Sequence, residues 1–203
     1  MKLKRLMELT VAFVILMALS PLMLILSLLV TLNLGRPIFF TQTRTGKNSS
    51  EFKLYKFRTM SLAANSDGTL LPDEGRMTRF GNILRSSSLD ELPSLINVIK
   101  GEMSLVGPRP LPIKYLNLYS SKHKRRLEVR PGITGLAQIN GRNNLSWEEK
   151  FDLDVEYVDK ASLRLDLSIL LKSCLVVLKR EGINAPGHVT MPEFKSPGEN
   201  QTN

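Results

Sequence analysis

The run Leu9-Thr10-Val11-Ala12-Phe13-Val14-Ile15-Leu16-Met17-Ala18-Leu19-Ser20-Pro21-Leu22-Met23-Leu24-Ile25-Leu26-Ser27-Leu28-Leu29-Val30-Thr31-Leu32-Asn33-Leu34-Gly35 contains no charged residue. As one helix rising about 1.5 Å per residue it reaches roughly 40 Å, enough to cross a bilayer core of about 30 Å. The basic start Met1-Lys2-Leu3-Lys4-Arg5 is that of a secretory leader, but the run exceeds a leader's apolar region and no Ala-x-Ala-like site follows, so a retained membrane segment is expected. Ser20-Pro21 stands near its middle. Proline removes a backbone donor and clashes with the preceding turn, while a serine hydroxyl can satisfy the freed carbonyl, so the pair suits a break into two short helices. Lys2, Lys4 and Arg5 precede the run and Arg36, Arg44, Lys47, Lys53, Lys56 and Arg58 follow it. That distribution holds both ends on the cytoplasmic side and favours a re-entrant hairpin; a single crossing with a tolerated proline is an equal reading of the kink.

Outside this segment, the 203 residues suffice for one main domain with a real core, and a hydrophobic content of 42% excludes a disordered chain. Twenty-eight Lys and Arg against 19 Asp and Glu leave a net charge of +9, which calls for an acidic partner: nucleic acid, anionic lipid or a phosphorylated substrate. The lone cysteine, Cys174, excludes an intramolecular disulfide and, within an apolar helical run, is expected to pack in the core.

Pro37 to Thr43 and Glu51 to Phe57 read as two strands joined by a Thr-Gly-Lys-Asn-Ser-Ser turn, a small β-hairpin. In the second strand Lys53, Tyr55 and Phe57 share one face, and Leu54, Lys56 and Arg58 the other. Met77, Phe80 and Leu84 have helical spacing, which places Arg85 at the end of a short amphipathic helix, where it serves the helix dipole or a phosphate equally well.

Leu84-Arg85-Ser86-Ser87-Ser88-Leu89-Asp90-Glu91-Leu92-Pro93 then sets two carboxylates at a helix start, with Pro93 in the first turn, Leu92, Leu95, Ile96 and Ile99 on the apolar face and Gly101 at the end. Acids there ordinarily complement the helix dipole. The same position also attracts phosphate oxygens, an oxygen-only acid pair suits magnesium, and aspartate can attack phosphorus. Beyond this helix, Gly107-Pro108-Arg109-Pro110 fixes a guanidinium on a stiff segment, an arrangement suited to bidentate phosphate binding.

The basic run Lys122, Lys124, Arg125, Arg126 and Arg130 is either a solvated face or a surface for anionic lipid. The glycines from Arg130 to Arg142 match neither G-x-G-x-x-G nor Walker spacing, so they require turns rather than a nucleotide. Ser146-Trp147-Glu148-Glu149 is a capping box whose acids are expected at the surface of a helix running past Tyr157. Asp166 is read as the cap of a last apolar helix through Leu178, packed in the core or lying at a membrane interface, and a weakly ordered tail is expected from Pro186.

Taken in order, Ser20-Pro21, Phe40-Thr41-Gln42, Lys53 to Met60, Ser88 to Pro93, Gly107 to Leu111 and Arg130 to Gly135 resemble the bacterial monotopic phosphoglycosyl transferases. With one hydrophobic segment, the chain looks like the family's minimal form. The resemblance implies an α+β, mainly helical fold: a re-entrant helix-break-helix over residues 1–36, a catalytic domain with a small β-hairpin over 37–185, and a tail over 186–203. It implies an enzyme on the cytoplasmic face of the bacterial inner membrane that passes a sugar 1-phosphate from a UDP-sugar to polyprenol phosphate and releases UMP. Asp90 would be the nucleophile, Glu91 its helper in metal or proton management, Mg2+ the ion held by the two, and Lys56, Arg58, Arg85 and Arg109 the phosphate-binding groups. No nucleic acid is expected. The other class is a non-catalytic, membrane-tethered basic protein holding anionic lipid or nucleic acid through Lys122 to Arg130.

Overall fold

The computed structural model of the chain describes residues 2–179 together with 193 and 194. Helix α1 (Lys2–Leu34) is followed by strands β1 (Phe39–Thr45) and β2 (Glu51–Phe57) and by helices α2 (Asp73–Arg76), α3 (Arg79–Ser86) and α4 (Leu95–Lys100). Then come β3 (Ser104–Val106), α5 (Ser121–Lys124), β4 (Gly132–Thr134), α6 (Leu136–Ile139), α7 (Trp147–Lys160) and α8 (Leu163–Lys179). This is the mainly helical α+β fold with a small hairpin that the sequence predicts.

The two short helices expected around Ser20-Pro21 are joined in one element, with Pro21 inside it. Proline withholds the N–H that would reach the carbonyl of Met17, and Ser20 Oγ donates to that carbonyl at 2.8 Å, so the turn stays satisfied. One stripe of α1, including Ala12, Leu26 and Val30, is buried against the domain. The outward residues Leu24, Leu28 and Leu32 are 73%, 59% and 72% exposed, a lipid-like surface that water would penalise.

Both ends of α1 are fastened to the same body. At the N-terminal end Arg5 Nη2 donates to Val98 O at 2.6 Å and Ile99 O at 3.2 Å, serving the open carbonyls at the end of α4, and Lys4 Nζ pairs with Asp166 at 2.7 Å. At the C-terminal end Arg58 Nη2 donates to the carbonyls of Leu34 and Gly35 at 2.5 Å each.

The hairpin pairs Phe39 with Phe57 through to Thr45 with Glu51. Asn97 locks it to α4: Tyr55 N donates to Asn97 Oδ1 at 3.1 Å and Asn97 Nδ2 donates to Lys53 O at 2.7 Å. A second, parallel pair of very short strands, β3 and β4, sets Ser104 opposite Gly132 and Val106 opposite Thr134, a pairing that no alternation in the sequence announces. Gly132 is required there by close approach, since a Cβ would stand 2.1 Å from Gly107 N. Packed on these elements is a core of Phe52, Leu54, Leu95, Val98, Met103, Val106, Leu136, Tyr157 and Ile169.

Two expectations are corrected, for Asp166 and Cys174. The basic run after Lys122 faces the acids of α7: Lys122 meets Asp152 and Arg125 meets Asp159 at 2.5 Å each, and Arg126 meets Asp154 at 2.7 Å. Arg126 and Asp154 are buried, while Lys122, Lys124 and Arg125 remain on a solvated face and the capping-box acids Glu148 and Glu149 are exposed as expected. Asp166 does not cap α8. Ser162 Oγ takes the first-turn amide of Leu165 at 3.2 Å, while Asp166 is buried and accepts from Tyr157 at 2.7 Å. Cys174 is exposed, because α8 turns Asp166 and Ile169 inward and leaves Leu163, Leu167, Leu171 and Leu175 outward. The tail from Pro186 lies outside the described residues except for Glu193 and Phe194. There the Phe194 ring packs at 4.9 Å from that of Phe151.

Candidate active site

Ser88, at φ 57, turns the chain between α3 and a 3-10 turn over Leu89–Ser94. That reversal carries Asp90 and Glu91 in the first turn of a short element that leads straight into α4, so the acid pair starts a helical stretch as expected. Lys56 reaches it from β2 and Arg109 from the Pro-fixed loop.

The two acids have unlike surroundings. Glu91 Oε1 accepts from Lys56 Nζ at 2.6 Å and from Arg109 Nη2 at 2.7 Å. Burial alone would raise its pKa, but Arg109 and Lys56 outweigh burial and hold the carboxyl well below the usual range. Glu91 is thus held in its ionised form as an anchor for two cations. Asp90 is 8% exposed and has no hydrogen-bonded side-chain partner among the described residues. Burial pushes it up to about 6 with help from Glu91, against the charges of Lys56, Arg109 and Arg85. A carboxylate so placed is poorly solvated, half-compensated and ionised at neutral pH.

Of the other expected phosphate ligands, Arg85 lies within electrostatic reach of Asp90 and is held by its Nε bond to Thr59 Oγ1 at 3.0 Å. Arg58 is not in this cluster, because its guanidinium is buried on the carbonyls at the end of α1. Ser20 and Pro21 are exposed in mid-helix and take no part.

Arg44 is the residue that the sequence reading missed. It lines a shallow depression together with Leu54, Lys56, Glu91, Ser94 and Arg109. The signal was present in the hairpin register: Gln42 stands opposite Leu54 and Phe40 opposite Lys56, so Phe40, Gln42 and Arg44 share the face that carries Leu54 and Lys56.

No group of three or more metal-binding side chains occurs among the described residues. The pair Asp90 and Glu91 nevertheless fits magnesium, which takes one or two carboxylates and completes its shell with water and substrate phosphate. An Asp90 carboxylate with no hydrogen-bonded side-chain partner among the described residues, beside surplus cations, is suited to receive a phosphorylated ligand with its counter-ion.

A family model described as bacterial sugar transferase matches residues 1–180. The chain is 53% identical over 199 residues to an uncharacterized sugar transferase, EpsL, of Bacillus subtilis, covering 98% of each. It is 37% identical over 199 residues to the undecaprenyl-phosphate galactose phosphotransferase of Salmonella typhimurium, covering 89% of this chain and 41% of that one. It is 38% identical over 177 residues to the UDP-glucose:undecaprenyl-phosphate glucose-1-phosphate transferase of Klebsiella pneumoniae, covering 82% of this chain and 38% of that one. The last two relatives are thus more than twice as long as the segment they share with this chain.

Proposed function

Because the chain belongs to the bacterial sugar transferase family, we propose that it transfers a sugar 1-phosphate from a UDP-sugar to polyprenol phosphate through a covalent intermediate on Asp90. The acceptor is undecaprenyl phosphate and the donor a UDP-sugar, by analogy with the relatives of those names. The observation that carries this reading is the asymmetry of the acid pair. Glu91 is neutralised by Lys56 and Arg109, which leaves Asp90 buried, without a hydrogen-bonded side-chain partner among the described residues, and ionised at neutral pH.

In the first step an Asp90 oxygen attacks the β-phosphorus, the bond to the bridging oxygen breaks, and its electron pair leaves with UMP. In the second step a phosphate oxygen of the lipid attacks the same phosphorus and the Asp90 carboxylate departs unchanged. Arg109 and Lys56, oriented by Glu91, and Arg85 from the other side offset the charge on the phosphoryl oxygens. Magnesium, held by Asp90 and Glu91 with the diphosphate, would supply further charge neutralisation when bound.

Protein incubated with magnesium, a UDP-sugar active in turnover and labelled UMP, with no lipid acceptor, is expected to exchange label into the UDP-sugar. EDTA is expected to stop the exchange and magnesium to restore it. Turnover without exchange would replace the covalent route by a ternary complex. The tethered-binder alternative is disfavoured, since Lys122, Arg125 and Arg126 of the basic run it needs are paired with acids of α7.

The attachment of both ends of α1 to one domain supports a monotopic insertion on the cytoplasmic face. A crossing by residues 9–35 would part those ends by about 40 Å across the bilayer, whereas Lys4 and the Leu34 carbonyl both dock on the catalytic domain. With Cys174 replaced by serine, Leu3→Cys and Glu51→Cys should both resist a membrane-impermeant reagent in intact cells and both react after lysis. Labelling of Leu3→Cys in intact cells would make α1 a crossing helix.

A further inference from the structure

The depression beside the acid pair holds more positive charge than its carboxylate consumes. Arg44, Lys56 and Arg109 line it, and Glu91 is already bonded to the last two. Arg44 has no ion pair among the described residues. Its Nη2 donates to Gln42 Oε1 at 2.5 Å and its Nη1 to Pro110 O at 3.3 Å, both neutral acceptors, while its Nε is buried without a partner. A mostly buried guanidinium with a spare donor and only neutral acceptors is incompletely satisfied, and desolvation followed by the repulsion of Arg109 lowers its pKa to about 10. An anion shared by Arg44 and Arg109 would relieve both.

The fold also gives the groove an order. Arg44 lines the depression with Arg109 and bridges to Pro112, whereas Asp90 is not among the residues that line it. Arg85, bonded to Thr59 next to the Arg58 that caps α1, stands at the membrane-helix end; Arg44, opposite Phe52, stands near the other end of the hairpin from the Phe39–Phe57 pair.

We propose that Arg44 and Arg109 seat the α-phosphate of the donor nucleotide, so that UMP occupies the β1 end of the groove while the sugar phosphate lies at Asp90. The proposal rests on the transferase reading above and adds a polarity to it. The nucleotide enters and leaves past the hairpin, and the lipid phosphate arrives from the Arg85 side. Arg44 then acts on the first half-reaction and has no part in the second.

The test compares the full-length protein with Arg44→Gln and Arg44→Lys in detergent with magnesium, reading UMP as a titrated ligand and as a product inhibitor. Loss of a charge-assisted contact to phosphate predicts UMP binding weakened about 30-fold in Arg44→Gln, with Arg44→Lys recovering part of it. The KM for polyprenol phosphate should stay within about twofold, and transfer from preformed phosphosugar enzyme to lipid should keep its rate. UMP affinity unchanged in Arg44→Gln, or KM values for donor and lipid rising together, would overturn the seat. If Arg44→Gln does not fold, Arg44→Lys carries the test, with a roughly fivefold loss expected for UMP alone because its point charge lacks the planar fork. Failure of the parent reading looks different: wild type would bind UMP, and lose it on Arg44→Gln, yet show no label exchange.

Discussion

Asp90→Asn is expected to abolish UMP release, by on the order of 10³-fold or more, and at the same time to raise the melting temperature at neutral pH. The amide cannot attack phosphorus, so activity is lost through the nucleophile alone. Its effect on stability follows from burial. The Asp90 carboxyl sits at about 6 in the folded chain against 3.8 as a free residue. Between those two values the folded state keeps a proton that the unfolded state has released. The contribution of Asp90 to stability is therefore full below pH 3.8 and is lost as pH rises through about 6. At pH 7.5 the wild type holds an ionised, poorly solvated group that asparagine does not, a difference of about 3 kcal/mol in metal-free buffer. Thermal scans in EDTA should show the variant a few degrees more stable at pH 7.5 and the two proteins converging near pH 4. A less stable variant at pH 7.5 would mean that Asp90 is a structural acid, and its place as nucleophile would lose its physical basis.

Asp154→Ala should cause the largest loss of stability among single side-chain truncations in the catalytic domain. Arg126 and Asp154 are each 3% exposed, and the guanidinium uses Nε at 3.0 Å and Nη2 at 2.7 Å on Asp154 Oδ2. Its remaining donors go to Tyr119 OH at 3.1 Å and to the carbonyl of Arg109 at 2.7 Å. Removing the carboxylate strands a buried cation, which costs about 3–5 kcal/mol, or roughly 10 °C in a domain of this size. The double variant Asp154→Leu with Arg126→Met removes both charges and should recover most of that loss; no recovery would mean that Arg126 matters through Tyr119 and Arg109 instead. Because Arg126 bonds the Arg109 carbonyl, Asp154→Ala protein that remains folded should also show a raised KM for the nucleotide sugar.

Local signals in the chain are faithfully expressed. Ser146 and Glu149 form the reciprocal capping box that their spacing predicts, with Glu149 N donating to Ser146 Oγ at 3.2 Å and Ser146 N to Glu149 Oε2 at 2.8 Å. Gly101, at φ 88, ends α4 where a left-handed residue was required. The hairpin forms because two alternating runs flank a short polar turn, although its register, which puts Arg44 on the same face as Lys56, escapes a reading that treats each strand alone. β3 and β4 stayed hidden for another reason: three residues each are too few to show a period, and they pair only because Gly107 and Gly132 let their backbones touch.

By itself, then, the sequence determined where α7 starts and where α4 stops, that one segment is long and apolar enough for a membrane, and that Asp90-Glu91 and Arg109 are set on rigid local structure. Those properties arise from neighbours within a turn or two, whose contacts are written in spacing. Only the tertiary structure decided what each charge does. Lys56, Arg58, Arg85, Arg109 and Arg126 are similar cations in one dimension, yet folding puts Lys56 and Arg109 on Glu91, Arg85 near Asp90, Arg58 on the end of α1 and Arg126 on Asp154. A cation's role is set by which oxygen lies within about 3 Å of it, and that distance is fixed by contacts between residues far apart in the chain.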